Sequence, residues 1–212
     1  MRVIPAINAV SQEEAAALVE KARSFLKAGD WIHFDISEFN MGTSDVPNID
    51  VMLRTSDVQK LNAEIHFMLS NYEELLQPSL EAGAKRIIVQ HEILQNLEFV
   101  LEECRRTGAE AGISIAPDTP IEELNVYFNK VKFYQVLAVP PGASGQPFQE
   151  KVVPKIKWLK EQLPDAIIEV DGGINPETAK LVMEAGANIV VSASYIFEGG
   201  EPEKRYAQLE KI

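Results

Sequence analysis

Cysteine is almost absent from this chain of 212 residues, and its single copy, Cys104, excludes an intrachain disulfide. A lone thiol is typical of a protein in a reducing cytoplasm. No apolar run reaches about 18 residues, the length that a membrane-spanning helix requires. Basic residues are also scarce: 20 Lys and Arg stand against 32 Asp and Glu, a net charge of −12. Without a basic cluster, the chain is not expected to bind nucleic acid.

The chain also lacks the start of a secretory signal. Segment 1–14 turns acidic before it could form the apolar core of a signal peptide, so we expect a cytoplasmic protein. Apolar residues make up 46% of the chain and charged residues 25%, values typical of a globular domain rather than a disordered chain. No linker or low-complexity tract is present. We therefore expect one domain over residues 1–212.

Short runs rich in β-branched residues alternate with segments of helical periodicity. The predicted strands are Arg2–Ile7, Trp31–Asp35, Ala63–Met68, Arg86–Gln90, Ala111–Ile115, Phe133–Ala138, Ala166–Asp171 and Asn188–Ser192. The predicted helices are Ser11–Ala28, Glu73–Ala82, Ile93–Thr107, Ile121–Asn129, Phe148–Gln162 and Pro176–Ala185. Strands that alternate with helices run parallel and are joined by right-handed crossovers.

Eight such units predict an α/β fold, a closed (β/α)8 TIM barrel, with its site at the C-terminal ends of the strands. An open, doubly wound sheet is the competing arrangement. The longest irregular segment, Ile36–Ile49, follows the second strand, where a barrel enzyme would place a mobile substrate loop.

Helix-capping signals support these boundaries. Ser11 is a predicted N-cap, and Glu14, three residues later, completes a capping box. Gly29, Gly83 and Gly186 each follow an alanine at the end of a predicted helix. A glycine there is favoured because the C-cap often takes a left-handed conformation.

Two of the three histidines lie in predicted strands together with carboxylates. His33 and Asp35 are two residues apart, so their side chains point to the same face of the strand. His66 lies near the end of the third strand, and Asp171 ends the seventh. Each histidine alone is more often structural, but four such residues at strand ends predict a site for one divalent metal ion. Zinc, iron, manganese and cobalt all suit such a mixed set of nitrogen and oxygen ligands.

Small residues follow the last three strands: PGASGQ at 141–146, DGGIN at 171–175 and SASY at 192–195. They let backbone N–H groups turn toward an anion, and a helix N-terminus adds a favourable dipole. Each loop alone is more simply a turn. Three adjacent loops together predict a phosphate site that uses neither lysine nor arginine, at the place where such barrels commonly bind phosphate.

Several motifs resemble the ribulose-phosphate 3-epimerase family in order and spacing. The C-terminal half carries PG..GQ.F from Pro141, VDGGI from Val170 and AGAN..VS.S..F from Ala185. The N-terminal half carries the fainter matches HFD, EIHFML and AGAKRIIVQHE. Together these motifs extend over nearly the whole chain.

The resemblance implies a TIM barrel of the ribulose-phosphate-binding type and an isomerase of the pentose phosphate pathway. Such an enzyme inverts C3 of a ketose phosphate, D-ribulose 5-phosphate to D-xylulose 5-phosphate, through a cis-enediolate. Asp35 and Asp171 would be the catalytic acid and base. The metal ligands would be His33, Asp35, His66 and Asp171. The substrate and its phosphate would contact His66, Gly142, Ala143, Ser144, Gly145, Gly172, Gly173, Ala193 and Ser194.

The chain departs from the family pattern around the sugar. Ser37 stands where the family has a methionine that covers the active site, and Ala6 where it has a serine that contacts the substrate. The family's VPN arrives late, at Val46–Asn48. These changes leave three alternatives open: an epimerase of another ketose phosphate such as allulose 6-phosphate, an isomerase or lyase of another phosphorylated sugar, or a non-catalytic phosphate-binding barrel.

Other singled-out residues predict structure rather than chemistry. His91-Glu92 is expected to support the site or the fold, and Cys104 to lie within a helix. Trp31 and Trp158 are expected to anchor the core or an interface. A small-molecule sugar phosphate is the expected partner, with no membrane. Because small acidic barrels of this kind often pair, a homo-oligomer, a dimer or higher assembly, is expected.

Overall fold

The computed structural model describes residues 1–37 and 48–212, and over these residues eight parallel strands close into a barrel. The strands are β1 Arg2–Ile7, β2 Trp31–Ser37, β3 Asn62–Met68, β4 Arg86–Gln90, β5 Glu110–Ile115, β6 Phe133–Leu137, β7 Ile167–Asp171 and β8 Ile189–Ser192. Strand β1 pairs with both β2 and β8, which closes the ring. The predicted TIM barrel is confirmed, and the open sheet is excluded.

Helices surround the barrel. They are α1 Gln12–Arg23, α2 Ile49–Leu53, α3 Glu73–Glu81, α4 Leu97–Thr107, α5 Val153–Gln162, α6 Pro176–Ala185, α7 Ser194–Phe197 and α8 Pro202–Leu209. Short 3-10 helices cover His91–Ile93, Ile121–Tyr127 and Glu150–Val152. Over the described ranges, no helix has the length and apolar character needed to cross a membrane.

The predicted strands agree with the observed ones to within two residues at each end. The largest difference is in β2, which continues through Ile36 and Ser37 of the predicted Ile36–Ile49 loop. Ile49, at the other end of that segment, begins α2. Residues 38–47 of the predicted loop lie outside the described residues.

The prediction that the first helix extends to Ala28 is wrong, because α1 ends at Arg23. The Asp30 carboxylate accepts a hydrogen bond from the backbone N–H of Lys27, at 2.7 Å. The N–H of Gly29 donates to the carbonyl of Lys60, at 2.8 Å, and so is not a helix C-cap. These contacts turn the chain toward β2 before the helix can continue.

The N-terminus of α1 nearly matches its predicted capping box. The Ser11 hydroxyl accepts from the N–H of Glu14 at 3.1 Å, as expected. The Glu14 carboxylate reaches the N–H of Val10 at 2.9 Å, one residue before the N-cap. Of the other predicted C-cap glycines, Gly83 and Gly186 both have the expected positive φ.

Three other predicted helices begin later or are tighter. The predicted helix Ile93–Thr107 starts at Leu97, because Asn96 caps it by accepting from the N–H of Phe99. The predicted helix Phe148–Gln162 becomes α-helical only at Val153, where Pro154 is suited to the first turn. The predicted helix Ile121–Asn129 is a 3-10 helix that ends at Tyr127.

The barrel separates two apolar layers. The larger layer lies between the outer face of the strands and the helices. A smaller one lies inside the barrel and contains Ile4, Ala6, Ile88, Phe133, Ile189 and Val191. Other buried positions of the strands hold polar side chains, which include His33, Asp35, Glu64, His66, Arg86, Gln90, Gln135, Glu169 and Asp171.

Candidate metal and phosphate site

Four predicted metal ligands come together at the C-terminal ends of three strands. Each of His33, Asp35, His66 and Asp171 offers a nitrogen or oxygen atom, and these atoms all lie within 4.8 Å of one another. The strand register explains part of this arrangement, because Asp35 on β2 lies opposite His66 on β3. All four residues are buried. The donor set, two imidazole nitrogens and two carboxylate oxygens, fits a divalent transition metal.

Asp35 lies at the centre of this group. Its Oδ1 is 3.0 Å from Nε2 of His33 and 3.3 Å from Nδ1 of His66. The outer nitrogen of each ring has a different partner. His33 Nδ1 is 2.9 Å from Glu64 Oε1, and His66 Nε2 is 3.0 Å from Gln90 Oε1. Each imidazole is therefore held from both sides.

The two aspartates have opposite shifts in pKa. Burial disfavours the charged form of Asp35, but the adjacent His33 and His66 rings outweigh burial and hold its pKa below the usual range. Burial, reinforced by the Asp35 carboxylate, raises the pKa of Asp171 to about 8. Two carboxyl groups whose pKa values are pushed apart suit an acid–base pair, one ionised and one protonated.

Deeper in the barrel, a second layer of buried charge supports these groups. Burial opposes the charged form of His33, yet the carboxylates of Asp35 and Glu64 raise its pKa well above the usual value. Glu64 also forms an ion pair with Arg86. Burial and the nearby Glu64 carboxylate raise the pKa of Glu169 well above its usual range. His33, Glu64 and Glu169 also offer ligand atoms within 4.8 Å of one another, although Arg86 already pairs with Glu64.

One cavity joins the aspartates to the small-residue loops. It is lined by Asp35, Asp171 and the eight predicted loop residues Gly142, Ala143, Ser144, Gly145, Gly172, Gly173, Ala193 and Ser194. Other lining residues include Asn8, Met68 and Gln146. Neither His33 nor His66 is among the described residues that line it; both lie beneath, against Asp35.

Two glycines of the loop after β7 are required by both conformation and space. Gly172 has φ +102°, and a Cβ there would lie 2.5 Å from Cγ2 of Val139. Gly173 has φ +65°, and a Cβ there would lie 2.5 Å from the backbone nitrogen of Phe148. L side chains rarely adopt such φ values, so any other residue would strain the backbone at these positions. Its Cβ would also displace the neighbouring loop, because it would lie too close to Val139 or Phe148. The close approach brings the loops after β6 and β7 together over the cavity.

Sequence reasoning missed three polar residues at this site. Glu64 and Gln90 hold the outer nitrogens of the two histidines. Asn8 donates from Nδ2 to Asp35 Oδ2 at 3.3 Å and to the carbonyl of Gly142 at 3.0 Å. The alternation of side chains along a strand could have found Glu64, which is two residues before His66.

His91, in contrast, faces away from the cluster. Its Nδ1 is 2.8 Å from the hydroxyl of Tyr127, and its Nε2 is 2.8 Å from Glu123. Glu92 contacts Gln90, so it supports the site through that side chain. Cys104 is buried within α4, and Trp31 and Trp158 pack against the apolar layers.

Comparison with known proteins agrees with this geometry. Residues 3–197 match the model of the "Ribulose-phosphate 3 epimerase family". The chain is 33% identical over 196 residues to "Ribulose-phosphate 3-epimerase" of Chlamydia muridarum, which covers 87% of this chain and 84% of the relative. It is 30% identical over 219 aligned residues to the Bacillus subtilis protein of the same name, which covers 99% and 98%.

Solved structures show the same fold at lower identity. "3-hexulose-6-phosphate synthase from Salmonella typhimurium" aligns with a TM-score of 0.76 and 13% identity, covering 100% of this chain and 97% of that one. At this identity the likeness establishes the barrel and nothing about the reaction.

Proposed function

The chain belongs to the ribulose-phosphate 3-epimerase family, a family of isomerases, and we propose that it inverts C3 of a ketose phosphate. D-ribulose 5-phosphate is the expected substrate and D-xylulose 5-phosphate the product, which gives the protein a role in pentose phosphate metabolism. One observation carries the proposal. Asp35 and Asp171 belong to a four-residue ligand set and also line the cavity formed by the small-residue loops.

In the proposed reaction, the two aspartates exchange the C3 proton. One carboxylate removes the proton from one face of the sugar, which leaves a planar enediolate, and the other carboxyl group returns a proton to the opposite face. Asp35 and Asp171 suit this division because they come from β2 and β7, which β1 and β8 separate in the barrel. Asn8 is hydrogen-bonded to Asp35 and to Gly142, so it would fix the position of the Asp35 carboxylate relative to the loop that we propose binds phosphate.

His33, Asp35, His66 and Asp171 would hold the metal, which is zinc, iron, manganese or cobalt. A divalent ion bound there would supply positive charge that stabilises the enediolate, and so would favour removal of the C3 proton. The residues of the chain supply orientation and proton transfer.

The phosphate of the substrate would bind to backbone N–H groups of Gly142–Gly145, Gly172–Gly173 and Ala193–Ser194. Small residues and positive φ values, as at Gly142 and Gly145, allow such groups to point into the cavity. With its phosphate held by these N–H groups, the sugar would have little freedom to move. Its C3 would then lie between the two carboxyl groups.

Solvent-deuterium incorporation at C3 tests the proposal. We would follow ribulose 5-phosphate by NMR with metal-reconstituted protein, an EDTA-treated control and allulose 6-phosphate in parallel. The expected result is metal-dependent exchange that is faster on ribulose 5-phosphate. Faster exchange on allulose 6-phosphate would assign the other ketose, in keeping with the small, buried Ser37. No exchange on either sugar by folded, metal-loaded protein would leave the non-catalytic phosphate-binding barrel.

We also propose that the chain is one barrel domain and that it forms a cytoplasmic homo-oligomer. A relative from Oryza sativa is named a cytoplasmic isoform, and the lone Cys104 suits a reducing compartment. Light scattering coupled to size exclusion would give the mass to compare with the 23.6 kDa of one chain.

A further inference from the structure

The two histidines of the ligand set turn different nitrogens toward its centre. His33 directs Nε2 toward Asp35 Oδ1, at 3.0 Å, whereas His66 directs Nδ1 toward the same oxygen, at 3.3 Å. A neutral imidazole carries a proton on only one nitrogen, and a metal binds the other one. The two rings therefore need opposite tautomers to bind one ion.

A chain of hydrogen bonds sets the tautomer of His66. Glu92 accepts from the N–H of Ala116 at 3.0 Å and from the hydroxyl of Thr119, as an ionised carboxylate does. The part of the Gln90 amide that faces Glu92 must therefore be its NH2 group. The amide oxygen of Gln90 is then turned to His66, so His66 Nε2, 3.0 Å away, must be the donor.

A different chain sets the tautomer of His33. Glu64 accepts from Arg86 on one oxygen, and its other oxygen is 2.9 Å from His33 Nδ1. Arg86 is fixed in turn: its Nε donates to Glu110 at 2.8 Å, and its guanidinium lies between the rings of Trp31 and Phe133. Because a carboxylate paired with arginine only accepts, Nδ1 of His33 must carry the proton.

We propose that Gln90 and Glu64 are positioning residues that hold the two imidazoles in opposite tautomers, so that His66 offers Nδ1 and His33 offers Nε2 to one metal ion. The inference rests on the proposed function only in that a metal binds these four ligands. It assigns Gln90 a role that neighbouring His91 does not share, because His91 bonds to Tyr127 and Glu123 instead.

The Zn²⁺-loaded protein gives the first test, by ¹⁵N NMR of its imidazoles, because in the metal-free protein the Asp35 carboxylate can accept from the inner nitrogen of either ring. We expect His66 to carry its proton on Nε2 and His33 on Nδ1. The same proton on both rings, or rapid exchange between tautomers in both, would overturn the inference. This measurement uses the wild-type protein, so it does not depend on a variant that folds.

Variants of the Gln90–Glu92 pair give the second test. Gln90→Leu removes the acceptor of His66, and we expect the affinity for Zn²⁺, measured by chelator competition, to fall about 10–100-fold. Gln90→Glu alone brings two carboxylates together and should weaken binding as well. In the exchanged pair Q90E/E92Q, Glu at position 90 accepts from His66 and Gln at position 92 supplies the amide beside it. We expect this variant to recover the proton on His66 Nε2 and most of the affinity for Zn²⁺.

His91→Ala is the matched control, since it alters the adjacent residue but leaves Gln90 in place; its Zn²⁺ affinity should equal that of the wild type. Unchanged affinity and tautomer in folded Gln90→Leu would refute the positioning role while leaving the metal site intact. Failure of wild-type protein to bind Zn²⁺, Mn²⁺ or Co²⁺ at all would instead count against the metal site of the proposed function.

Discussion

The two halves of the barrel mouth present different parts of the chain to the cavity: side chains in one half and backbone in the other. One half, here called the side-chain half, consists of His33, Asp35, His66 and Asp171, with Glu64 and Gln90 as partners of the two histidines. The other, the backbone half, consists of the loops 142–145, 172–173 and 193–194, which contain no lysine or arginine. Asp171 and Gly172 are adjacent, so the two halves meet at the end of β7.

The difference determines which substitutions each half tolerates. In the proposed function, the side-chain half acts through the charge and protonation of single atoms, so an isosteric change such as Asp to Asn is expected to be severe. In the proposed function, the backbone half acts through N–H groups and needs space for the phosphate, so the addition of one methyl group is expected to be severe. Four predictions test this contrast.

The largest expected effect is in the side-chain half. Asp171→Asn removes one of the two proposed proton-transfer groups, and we expect kcat for C3 exchange to fall by about 10²–10⁴-fold. Substrate affinity, which we propose that the backbone half largely provides, should change far less. Asp165→Asn, an exposed change in the turn before β7, is the matched control and should retain full kcat. Near-normal exchange by Asp171→Asn would remove Asp171 from the acid–base pair.

In the backbone half, two glycine substitutions distinguish the cost of a left-handed backbone from the cost of a steric clash. Both Gly173 and Gly145 have positive φ, but only a Cβ at Gly173 meets another backbone atom, Phe148 N, at 2.5 Å. A left-handed non-glycine residue costs about 1–2 kcal/mol. Gly145→Ala should lose about that much free energy of unfolding, and Gly173→Ala more, with a higher KM. Equal losses in urea denaturation would show that the approach of the two loops is unimportant.

The pH dependence of the metal-free protein tests the electrostatics of the side-chain half. The pKa of Asp171 is about 8 in the folded state, against about 3.9 when unfolded. The folded state therefore binds more protons between these values, and stability falls as the pH rises through them. The raised pKa of His33 acts in the same direction above about 6.5.

We expect the Tm in EDTA to fall by several degrees between about pH 5 and pH 8. The lowered pKa values of Asp35 and Glu64 affect stability only at more acid pH and leave this interval unchanged. Asp171→Asn, which cannot ionise, should make the fall in Tm shallower, and the raised pKa values of His33 and Glu169 should account for the fall that remains. A Tm that rises over the interval would contradict the assignment of a protonated Asp171.

The smallest expected effect concerns the link between the halves. Asn8→Ala removes two hydrogen bonds, to Asp35 and to the carbonyl of Gly142. Only the bond to Asp35 bears on proton transfer, so at about 0.5–1.5 kcal/mol for one typical hydrogen bond, we expect kcat/KM for C3 exchange to fall by up to about tenfold. The decrease should lie mainly in kcat, because the phosphate loop itself is retained. A pure KM effect would place Asn8 in phosphate binding instead.

Much of the fold was predictable because local signals and tertiary structure agree. The eight strands follow from β-branched runs, and period-two spacing placed His33 and Asp35 on one face. The segment 121–129 shows where this fails, since its apolar spacing suits an α-helix while the chain forms a 3-10 helix. Periodicity alone does not distinguish the two over one or two turns.

The grouping of the candidate site residues was predictable where a residue type is itself distinctive. Histidine and aspartate at strand ends indicate metal ligands, and paired glycines indicate an anion loop. Gln90 and Glu64 were missed because an amide or a glutamate acquires its role only from its neighbours, here the rings of His66 and His33. Asn8 was missed because its two partners are 27 and 134 residues away in sequence.

The packing at the N-terminal ends of the strands, opposite the candidate site, determines which half-barrel chimeras could fold. The guanidinium of Arg86 lies 4.2 Å from the ring centroid of Trp31 and 3.9 Å from that of Phe133. A Cβ on Gly112 would lie 2.6 Å from the Phe133 ring. Trp31 and Arg86 belong to the first four strands, whereas Gly112 and Phe133 belong to the last four. Half-barrel chimeras with relatives would therefore fold well only if these four positions came from the same parent.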